Sequence, residues 1–590
     1  MGTAEAPRAG PLGLRREVAW GALAGILLVG LGLRLWGVRQ GMPFAYNADE
    51  ADHFVPHAVA MFREGTLDPH YFANPPGFTY LLHFLFGAWF GGGPGVVRTY
   101  ALHPDRLYTL ARVVAALLGT GALWLLYATA ARLLGRGPAL LASAIEAVAF
   151  LPVFYAHLAL NDVPTLAPLT LSLLGSAGVL RSGRAREHAI AGVGLGLACA
   201  FKYTAGIVAL PYLAALTAQY LKGGPDALRP AARGLVIAGV CALAAFVVAN
   251  PYALLDYHSF RDELAHQSSL SAEGQGKLGA PRSGGLVYYL WSLTWGLGWL
   301  PALAALGGAV TVWWRRPGGR ALGWMLVPAP VLFLLFMGLQ GRYFGRWLMP
   351  ILPILCLLAA AFAARCAELL RGRGGARVRS LAAPGLAAGL TLALLAQGLV
   401  YSIHGGLVLS RSDTRAIARR WMLAHIPAGA PIVAEPISPN EWANDSRAGT
   451  STASDPPRWN KYPSKIPRID ASGALTRRTG RQVTVEDYER TLAPALIGYY
   501  EQHRYCWVLT GSTQAGRAFA DPHGVPLAVA YYRELAAQGQ VVFQASPYRR
   551  GRGPVAFNFD WSFDYYPLAY ERPGPVVTIY RLKGGRCRSR

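Results

Sequence analysis

The sequence predicts a mainly α-helical protein that crosses a membrane many times and ends in a mixed α/β domain. Of its 590 residues, 53% are hydrophobic and only 15% are charged, whereas soluble chains are about 25% charged. Apolar runs long enough, or nearly long enough, for a helical crossing recur as far as residue 402. Beyond that point short apolar runs alternate with polar and aromatic residues, as they do in strands. We therefore expect a transmembrane domain over residues 1–402 and a second domain over residues 403–590.

The positions of the arginine residues predict which loops face the cytoplasm. The net charge of +24 would suggest a nucleic-acid partner in a soluble chain, but here the arginines cluster in short loops between apolar runs, which is typical of cytoplasmic loops. We therefore predict no nucleic-acid partner. Basic residues precede the first run, at 18–38, and no small-residue cleavage site directly follows it. This pattern predicts an uncleaved signal anchor with a cytoplasmic N-terminal end.

Eleven further apolar runs follow the first. They lie at residues 76–94, 106–130, 138–156, 164–181, 188–201, 203–221, 232–250, 285–314, 321–338, 345–365 and 380–402. If all of them crossed, five arginine-rich loops would face outward, against the positive-inside rule. The run 76–94 starts NPPGF and ends GGGPG, and if it enters and returns without crossing, all five loops face the cytoplasm. We therefore predict eleven crossings, with the loops 39–105 and 251–284, the turn at Asn161 and Asp162, and the tail on the outside.

The tail predicts a small mixed α/β domain. Its short apolar runs predict strands and its helical patterns predict helices. The strands lie at 431–435, 505–510, 541–545 and 575–582, and the helices lie at 412–425, 484–500 and 526–538. The Gly-, Ser- and Pro-rich segment 436–475 predicts a long loop. Cys506 and Cys587 are the two cysteines of the tail, and their spacing leaves open whether they form a disulfide.

Three carboxylates are candidates for chemistry on the outer side. Asp49 and Glu50 follow the first apolar run in the stretch NADEADHFVP. Adjacent side chains on a helix point about 100° apart, so one would act as a base while the other positions it. The alternative is an ordinary helix start, where the macrodipole favours acidic residues. Asp162, in HLALNDVPT, either caps a helix or lines a site at the membrane boundary, and the two roles are compatible.

Few basic side chains are expected on the same side, so those present are informative. Lys202 is followed by Tyr203 in AFKYTAG, and Arg342, Tyr343 and Arg346 belong to GRYFGRW. Arginine and lysine with nearby tyrosine hydroxyls suit phosphate recognition, and snorkelling of the cations at the interface is the alternative. Further candidate substrate contacts are His53, Tyr252, Asp256, His258 and Arg282.

A carboxylate base and phosphate-binding cations on one side of a helical bundle suggest an enzyme. In it, a deprotonated hydroxyl would attack a sugar held by a lipid phosphate. A transporter or flippase for a lipid-linked sugar is one alternative, but the sequence shows no inverted repeat and the carboxylates lie on one side rather than at the midplane. A membrane-anchored, partner-binding protein is another, although an anchor would not need Asp162 or Lys202.

The order of these motifs resembles the GT-C class of membrane glycosyltransferases. The motifs are the Asp49–Glu50 pair, NPP before an apolar run, NDVP, FKYTAGIVALP at 201–211, NPYALLD at 250–256 and RYFGRWLMPILPILCLLAA at 342–360. The chain looks most like the bacterial relatives of protein O-mannosyltransferases and of the lipid A aminoarabinose transferase, roughly over residues 15–365. The tail also looks like the external domain of the bacterial members.

The resemblance implies an inverting transfer of a sugar from a polyprenyl-phosphate carrier to a glycolipid, glycan or protein acceptor, at the outer face of a bacterial inner membrane. It implies that Asp49 is the acceptor-activating base, that Glu50 is an acceptor or structural partner and that Asp162 is a site carboxylate. The residues it assigns to the carrier phosphate are Lys202, Arg342 and Arg346.

The resemblance leaves a metal cofactor open. Some relatives need a divalent metal, but this sequence has no His/Asp cluster at ligand spacing. It also lacks the large MIR-like insertion expected of the eukaryotic protein mannosyltransferases, which weakens the expectation of a protein acceptor. The sugar, the acceptor, the length of the carrier and the oligomeric state are not specified by the sequence.

Overall fold

Helices form the chain from Arg16 to Leu409. The computed structural model describes residues 16–588 apart from 273–277, 279–283, 314–318, 374–375, 445–456, 462–464, 483–487 and 559–564. The α-helices of this part are α1 (Arg16–Leu35), α2 (Ala48–Asp52), α3 (Phe54–Glu64), α4 (Gly77–Phe90), α5 (Gly92–Leu102), α6 (Pro104–Leu133), α7 (Arg136–Val148), α8 (Phe150–Tyr155), α9 (Leu166–Ser182), α10 (Ala185–Phe201), α11 (Ala209–Gly223), α12 (Leu228–Ala249), α13 (Tyr252–Leu255), α14 (Tyr257–Ala272), α15 (Gly285–Leu293), α16 (Trp299–Trp313), α17 (Gly319–Leu326), α18 (Pro328–Gly338), α19 (Leu352–Arg373) and α20 (Ala376–Leu409).

The long apolar helices make this an integral membrane protein, as predicted. Within the described residues, eight helical segments are long and apolar enough to cross a membrane: Arg16–Leu35, Pro104–Leu133, Tyr203–Gly223, Leu228–Ala249, Gly285–Trp313, Arg320–Gly338, Gly345–Leu369 and Gly385–His425. The predicted crossings at 138–156, 164–181 and 188–201 also form helices, but these are shorter. Helix α7 has 13 residues, and α9 and α10 have 17 residues each.

Glycines let α10 pack closely between α9 and α12. A Cβ atom on Gly194 would lie 2.3 Å from the backbone nitrogen of Ser172 on α9, and one on Gly196 would lie 2.0 Å from the carbonyl oxygen of Ala242 on α12. No larger residue fits at either position without moving a helix backbone. This packing holds the C-terminal end of α10, where Lys202 follows.

The apolar run 76–94, predicted to enter and return without crossing, folds as two short helices. Helix α4 has 14 residues, or about 21 Å of length, against roughly 30 Å for the apolar core of a bilayer. The chain then turns at Gly91 and Gly92, whose φ angles are +78° and +80°, a conformation that favours glycine. Both helices pack on Phe62 of α3. The run is therefore a helical hairpin.

A five-stranded sheet forms the core of the tail. The tail strands are β1 (Pro431–Ala434), β2 (Asn460–Lys461), β3 (Lys465–Ile469), β4 (Leu475–Gln482), β5 (Trp507–Gly511), β6 (Gln540–Ala545) and β7 (Val577–Arg581), and the helices are α21 (Thr414–His425), α22 (Ala495–Gln502), α23 (Ser512–Ala520) and α24 (Pro526–Gln538). The sheet order is β2-β1-β5-β7-β6, and β3 and β4 form a separate pair. Strand β1 is parallel to β2 and β5, whereas β7 is antiparallel to β5 and β6.

The sheet is covered by helices on both faces. Consecutive residues of a strand point to opposite faces, and this is seen in β1, where Ile432 packs on one side and Val433 on the other. The first side carries Met422 of α21. The second side carries Leu496 of α22 and Ala528 of α24. The tail is thus a three-layer α/β/α arrangement.

Most of the predicted tail elements are present. The four predicted strands and the helices at 412–425 and 526–538 correspond to β1, β5, β6, β7, α21 and α24. The predicted helix 484–500 is wrong in its bounds: a 3₁₀ turn at Tyr488–Thr491 precedes α22. Pro494 explains the break, because a proline disfavours helical backbone in the residue before it. Helix α23 was not predicted.

Two further differences concern the loop 436–475 and the end of the last membrane helix, and the structure also answers the open question of the disulfide. The predicted loop 436–475 contains a 3₁₀ turn at Asn440–Ala443 and the strands β2 and β3, while its residues 445–456 and 462–464 lie outside the described part of the chain. Cys506 and Cys587 form a disulfide. The helix predicted to end near 402 continues to Leu409, because Val408 and Leu409 remain apolar and buried.

Candidate active site

Four charged side chains that are distant in sequence form one polar cluster. A terminal nitrogen of the Arg346 guanidinium donates a hydrogen bond to Oδ2 of Asp49 at 2.5 Å. Nε of the same side chain lies 3.8 Å from Oδ2 of Asp162. The ammonium group of Lys202 donates to the other oxygen of Asp162. The side chain of Asp49 is 35% exposed, whereas that of Asp162 is 3% exposed. We name this chain of alternating charges, Asp49, Arg346, Asp162 and Lys202, the charge cluster.

Each member of the charge cluster sits where regular helix ends or begins. Asp49 lies in the first turn of α2, which Asn47 caps by accepting a hydrogen bond from the backbone nitrogen of Glu50. Lys202 ends α10 with an extended backbone, and Arg346 lies in the 3₁₀ turn Gly345–Ile351. Helix ends expose side chains toward the membrane surface, so these positions place opposite charges in one region outside the apolar core.

The turn that carries Asp162 is fixed by its neighbours. The side-chain amide of Asn161 donates to the carbonyl of Phe201 at 2.5 Å, which joins the turn to the residue before Lys202. The predicted capping role of Asp162 is wrong: α9 begins at Leu166 with Thr165 as its cap residue. The Asp162 carboxylate is thereby left to bind Lys202 instead of a helix N-terminus.

The electrostatic surroundings keep Asp49 ionised. Burial opposes the charged form, but the positive charge of Arg346 and the hydrogen bond and charge of His53 outweigh it and lower the pKa of Asp49 well below its usual range. Nε2 of His53 lies 3.5 Å from Oδ1 of Asp49, and the His53 ring stacks on Tyr71 with centroids 5.2 Å apart. Of the predicted substrate contacts, His53 is the one that touches the cluster within the described structure.

Glu50 does not face the charge cluster. Its two oxygens accept hydrogen bonds from Arg112 at 2.7 Å each, and one of them also accepts from the backbone nitrogen of Ala159 at 2.7 Å. Both charged side chains have 0% exposure. The same guanidinium donates to the carbonyls of Val38 and Gln40. Pairing Glu50 with Asp49 as a catalytic carboxylate therefore does not agree with the structure, since a substrate cannot reach Glu50.

Arg112 was not among the residues that the sequence predicted to be functional. Apart from Arg106 at its start, Arg112 is the one charged residue of the apolar run 106–130, and a lone charge within a membrane helix usually has a buried partner. That signal indicates a carboxylate partner on another helix, but it does not say which one. The structure identifies the partner as Glu50 of α2.

The other predicted phosphate ligands lie in the walls of the region. The hydroxyl of Tyr203 donates to the carbonyl of Phe72 at 3.0 Å. The ring of Tyr343 packs against that of Tyr288 with centroids 4.6 Å apart. The backbone nitrogen of Arg342 donates to the carbonyl of Ser271 on α14 at 3.2 Å.

The remaining predicted contacts lie on α13 and at the start of α14. Oδ1 of Asp256 accepts a hydrogen bond from the backbone nitrogen of Ser259 at 3.4 Å, so it acts as a helix cap. His258 is exposed. In the part of the chain that the structure describes, no hydrogen bond or ion pair joins Tyr252, Asp256 or His258 to the charge cluster. Arg282 lies outside the described residues.

Helix α14 holds down a loop beside the cluster, which the sequence did not predict. Glu263 of α14 accepts hydrogen bonds from the backbone nitrogens of Phe72 and Ala73 at 2.5 and 2.8 Å. The preceding residue, Tyr71, lies between the rings of His53 and His57, with centroid distances of 5.2 and 4.6 Å. The loop thus forms an aromatic wall next to Asp49.

A tyrosine from the tail also enters the bundle. Tyr565 is 1% exposed, and its hydroxyl shares a hydrogen bond with that of Tyr155 at 3.1 Å. Its ring packs against Trp295 at a centroid distance of 4.7 Å. A Cβ atom on Gly345 would lie 3.1 Å from the Tyr565 hydroxyl, so the tail supports the backbone directly before Arg346.

Comparison with known proteins gives one family match and a likeness in fold to several solved structures. Residues 105–252, about a quarter of the chain, match the family model described as dolichyl-phosphate-mannose-protein mannosyltransferase. The apo structure of the oligosaccharyltransferase from the archaeon Archaeoglobus fulgidus has the same fold, with a TM-score of 0.52 and 12% identity, covering 97% of this chain and 89% of that one. The chain thus has the fold of this oligosaccharyltransferase, and about a quarter of it resembles the mannosyltransferase family.

Two further solved structures belong to this comparison. The complex of AglB from Archaeoglobus fulgidus with an inhibitory peptide and a dolichol-phosphate has a TM-score of 0.50 and 12% identity, covering 96% of this chain and 88% of that one. ArnT from Cupriavidus metallidurans, bound to undecaprenyl phosphate, has a TM-score of 0.42 and 16% identity, covering 71% and 83%. A search of curated proteins finds no significant match.

The region that matches the family model holds only part of the charge cluster. Asp162 and Lys202 lie within residues 105–252, as does Arg112, whereas Asp49 and Arg346 lie outside. As to a metal, no group of three or more His, Cys, Asp or Glu side chains that suits an ion occurs among the described residues. The two carboxylates of the cluster instead share Arg346.

Proposed function

We propose that this protein is a glycosyltransferase of the GT-C class, which transfers a sugar from a polyprenyl-phosphate carrier to an acceptor hydroxyl or amide with inversion at the anomeric carbon, and that the charge cluster performs the transfer. The observation that supports this proposal is the contact of a carboxylate, Asp49, with Arg346, which also lies beside Asp162 and through it is joined to Lys202. The described residues show no feature that favours a flippase or a simple anchor.

Arg346 and Lys202 supply the groups that bind the carrier phosphate. Both are already turned toward carboxylates, and both side chains are largely buried, with exposures of 13% and 12%. Within the cluster two positive charges meet two negative ones. An incoming phosphate competes for the cations, because charge-assisted hydrogen bonds to phosphate are as strong as those to carboxylate. Binding of the donor thus draws Arg346 away from Asp49.

Release of Arg346 turns Asp49 into a better base. The arginine charge is a main reason why the pKa of Asp49 is low, and a carboxylate with a very low pKa accepts a proton poorly. Once Arg346 binds phosphate, the pKa of Asp49 rises toward its usual value. Asp49 then takes the proton from the acceptor, the acceptor forms a bond to the anomeric carbon, and the bond from that carbon to the phosphate oxygen breaks on the opposite face. The carrier phosphate leaves with the electron pair.

Two residues without substrate contact position the reacting groups. Glu50 and Arg112 tie α2, which carries Asp49, to the turn that carries Asp162 through the Ala159 hydrogen bond. We assign Glu50 a positioning role for that reason. Arg342, Tyr203 and Tyr343 remain candidates for lining the path of the carrier.

We also propose that the reaction takes place on the outer face of a bacterial inner membrane. The arginine clusters in the loops support a cytoplasmic location for the opposite side. The disulfide between Cys506 and Cys587 supports an extracytoplasmic tail, because structural disulfides belong to oxidising compartments. In this proposal residues 1–402 with the external loop 39–105 form the catalytic domain, and residues 403–590 form an external domain.

The test is transfer by purified protein reconstituted in liposomes with lipid extracts of the envelope as donors. We expect Asp49→Asn to lower the rate by about 10²-fold to 10⁴-fold, the usual contribution of a general base. The matched control is Asp52→Asn, which removes an exposed carboxylate from the same short helix and should leave the rate unchanged. Normal transfer by folded Asp49→Asn protein would remove Asp49 from the mechanism.

A further inference from the structure

A groove of about 550 Å³ lies between α20 and the tail, away from the charge cluster. One wall belongs to α20 and the other to two segments of the tail. The lining residues are Val400, Ile403, His404, Leu407, Arg549, Arg552, Leu568 and Ala569. Its volume is in the range of small-molecule sites, and the proposed sugar transfer makes no use of it.

The α20 wall is an apolar face of a membrane helix. Val400, Ile403 and Leu407 are spaced by three and four residues, so they lie on one side of the helix. They are 54%, 37% and 41% exposed, and Leu568 on the opposite wall is 48% exposed. Because α20 belongs to a segment that is long and apolar enough to cross the membrane, this exposed side contacts acyl chains.

The tail wall brings basic groups to the end of that apolar face. Arg549 and Arg552 belong to a tight turn, in which the backbone nitrogen of Arg552 donates to the carbonyl of Arg549 at 3.0 Å. Both side chains are exposed, and no described carboxylate forms an ion pair with them. The acidic group of this region, Glu571, already binds Arg411 and Arg572 at 3.5 and 2.9 Å. Within the described residues, the groove therefore combines an apolar wall with two arginines that form no ion pair.

We infer that this groove binds an anionic phospholipid of the surrounding bilayer. The phosphate lies between Arg549 and Arg552, and an acyl chain follows Val400, Ile403 and Leu407 down α20. The hydrogen bond between His404 and the carbonyl of Pro567, 3.0 Å long, holds the two walls together at the bottom of the groove. The bound lipid joins the tail to the bundle only a few residues from Tyr565. This inference does not depend on the sugar-transfer proposal.

The experiment is native mass spectrometry of the detergent-purified protein titrated with dioleoyl-phosphatidylglycerol or dioleoyl-phosphatidylcholine. We expect tight binding of one phosphatidylglycerol and weaker binding of phosphatidylcholine. The double variant Arg549→Gln, Arg552→Gln should weaken phosphatidylglycerol binding about thirtyfold, since each basic side chain near an anionic head group contributes a factor of about five. The matched control is Arg550→Gln, which removes an exposed charge from the same turn without lining the groove and should change nothing.

Three outcomes would overturn the inference. Equal binding of the two phospholipids would show an ordinary lipid contact without a phosphate site. An equal loss with Arg550→Gln and with the double variant would show diffuse attraction rather than a defined groove. Displacement of phosphatidylglycerol by a stoichiometric amount of a polyprenyl phosphate, with the same dependence on Arg549 and Arg552, would show a carrier site instead. Because the readout is lipid binding, none of these outcomes bears on the role of Asp49.

Discussion

Arg346 is the residue on which the charge cluster depends. Its guanidinium contacts both Asp49 and Asp162, while its Cζ also lies 4.6 Å from the centre of the Phe344 ring. A guanidinium has five donors in a rigid plane, so it can change partners without moving its backbone. A phosphate that arrives from the membrane side is therefore able to replace one carboxylate while the other keeps the arginine in place.

Replacing Arg346 by glutamine should change both donor use and pH dependence. Without the positive charge the pKa of Asp49 rises, because burial is then opposed by His53 alone. A base acts only when deprotonated, so activity is lost as the pH falls through its pKa, and a higher pKa moves that loss to higher pH. We expect the acidic limb of kcat/KM to shift upward and the donor KM to rise about 10-fold to 100-fold, with a smaller change for the acceptor.

The control for this prediction is Arg63→Gln. Arg63 lies on α3 in the same external region, and its side chain is 69% exposed. This substitution should leave the pH profile and both KM values unchanged. An Arg346→Gln variant with an unshifted acidic limb would show that Arg346 does not control the ionisation of the base.

The sequence could predict the members of the charge cluster but not their contacts. Charged residues at the ends of apolar runs are few, so Asp49, Asp162, Lys202 and Arg346 stood out on the outer side. The partner of Glu50 could not be predicted in this way, because Arg112 lies 62 residues further along and within a crossing. Burial rather than residue type decides that Asp49 faces the cluster and that Glu50 faces the interior.

At the scale of elements, the buried pair of Glu50 and Arg112 holds α2 against α6. Both side chains are fully buried, and each has its remaining polar groups bonded to backbone atoms. A buried pair of this kind is expensive to break, because the remaining charge has no water to stabilise it. The pair therefore fixes the orientation of the short helix that carries Asp49.

Glu50→Gln should destabilise the protein strongly. Removing one partner of a buried ion pair costs about 3–5 kcal/mol, which thermal unfolding of the purified protein detects as a lower Tm. Arg39→Gln is the control: Arg39 pairs with Asp105 at 3.1 Å but is 68% exposed, so its loss should cost about 0–1 kcal/mol. A Glu50→Gln protein with normal Tm and abolished transfer would contradict the positioning role and place Glu50 in the chemistry.

At the level of elements, the contact between the tail and the bundle could not be predicted from the sequence. Strands and helices of the tail follow from local patterns, since alternation and helical periodicity involve neighbouring residues. Tyr565 and Tyr155 are separated by 410 residues, and nothing local marks either tyrosine as a contact. Through Gly345, this contact reaches the turn that carries Arg346.

At the scale of the whole molecule, the distribution of arginines and the short helices α4 and α5 predict which elements share a side of the membrane. Helices α4 and α5 have 14 and 11 residues, too few to span the apolar core of a bilayer, so we predict that they contribute no crossing to the count of the later helices. This count places Asp49, which precedes the two helices, on the same predicted side of the membrane as the cluster residues that follow them, which are Asp162, Lys202 and Arg346. This juxtaposition is what the structure shows at the charge cluster.

Cysteine labelling in intact spheroplasts tests this arrangement. In a background without the four free cysteines, Cys199, Cys241, Cys356 and Cys366, a membrane-impermeant maleimide should label Arg98→Cys, because Arg98 is exposed on α5. It should label Arg184→Cys only after the membrane is opened, since we predict that the basic loop before α10 faces the cytoplasm. Arg98 is preferable to Gly95, where any Cβ atom would lie 1.8 Å from the carbonyl oxygen of Phe90. Labelling of Arg98→Cys from the cytoplasmic side alone would make the hairpin a crossing and would overturn the prediction that Asp49 and the later residues of the charge cluster share the outer side.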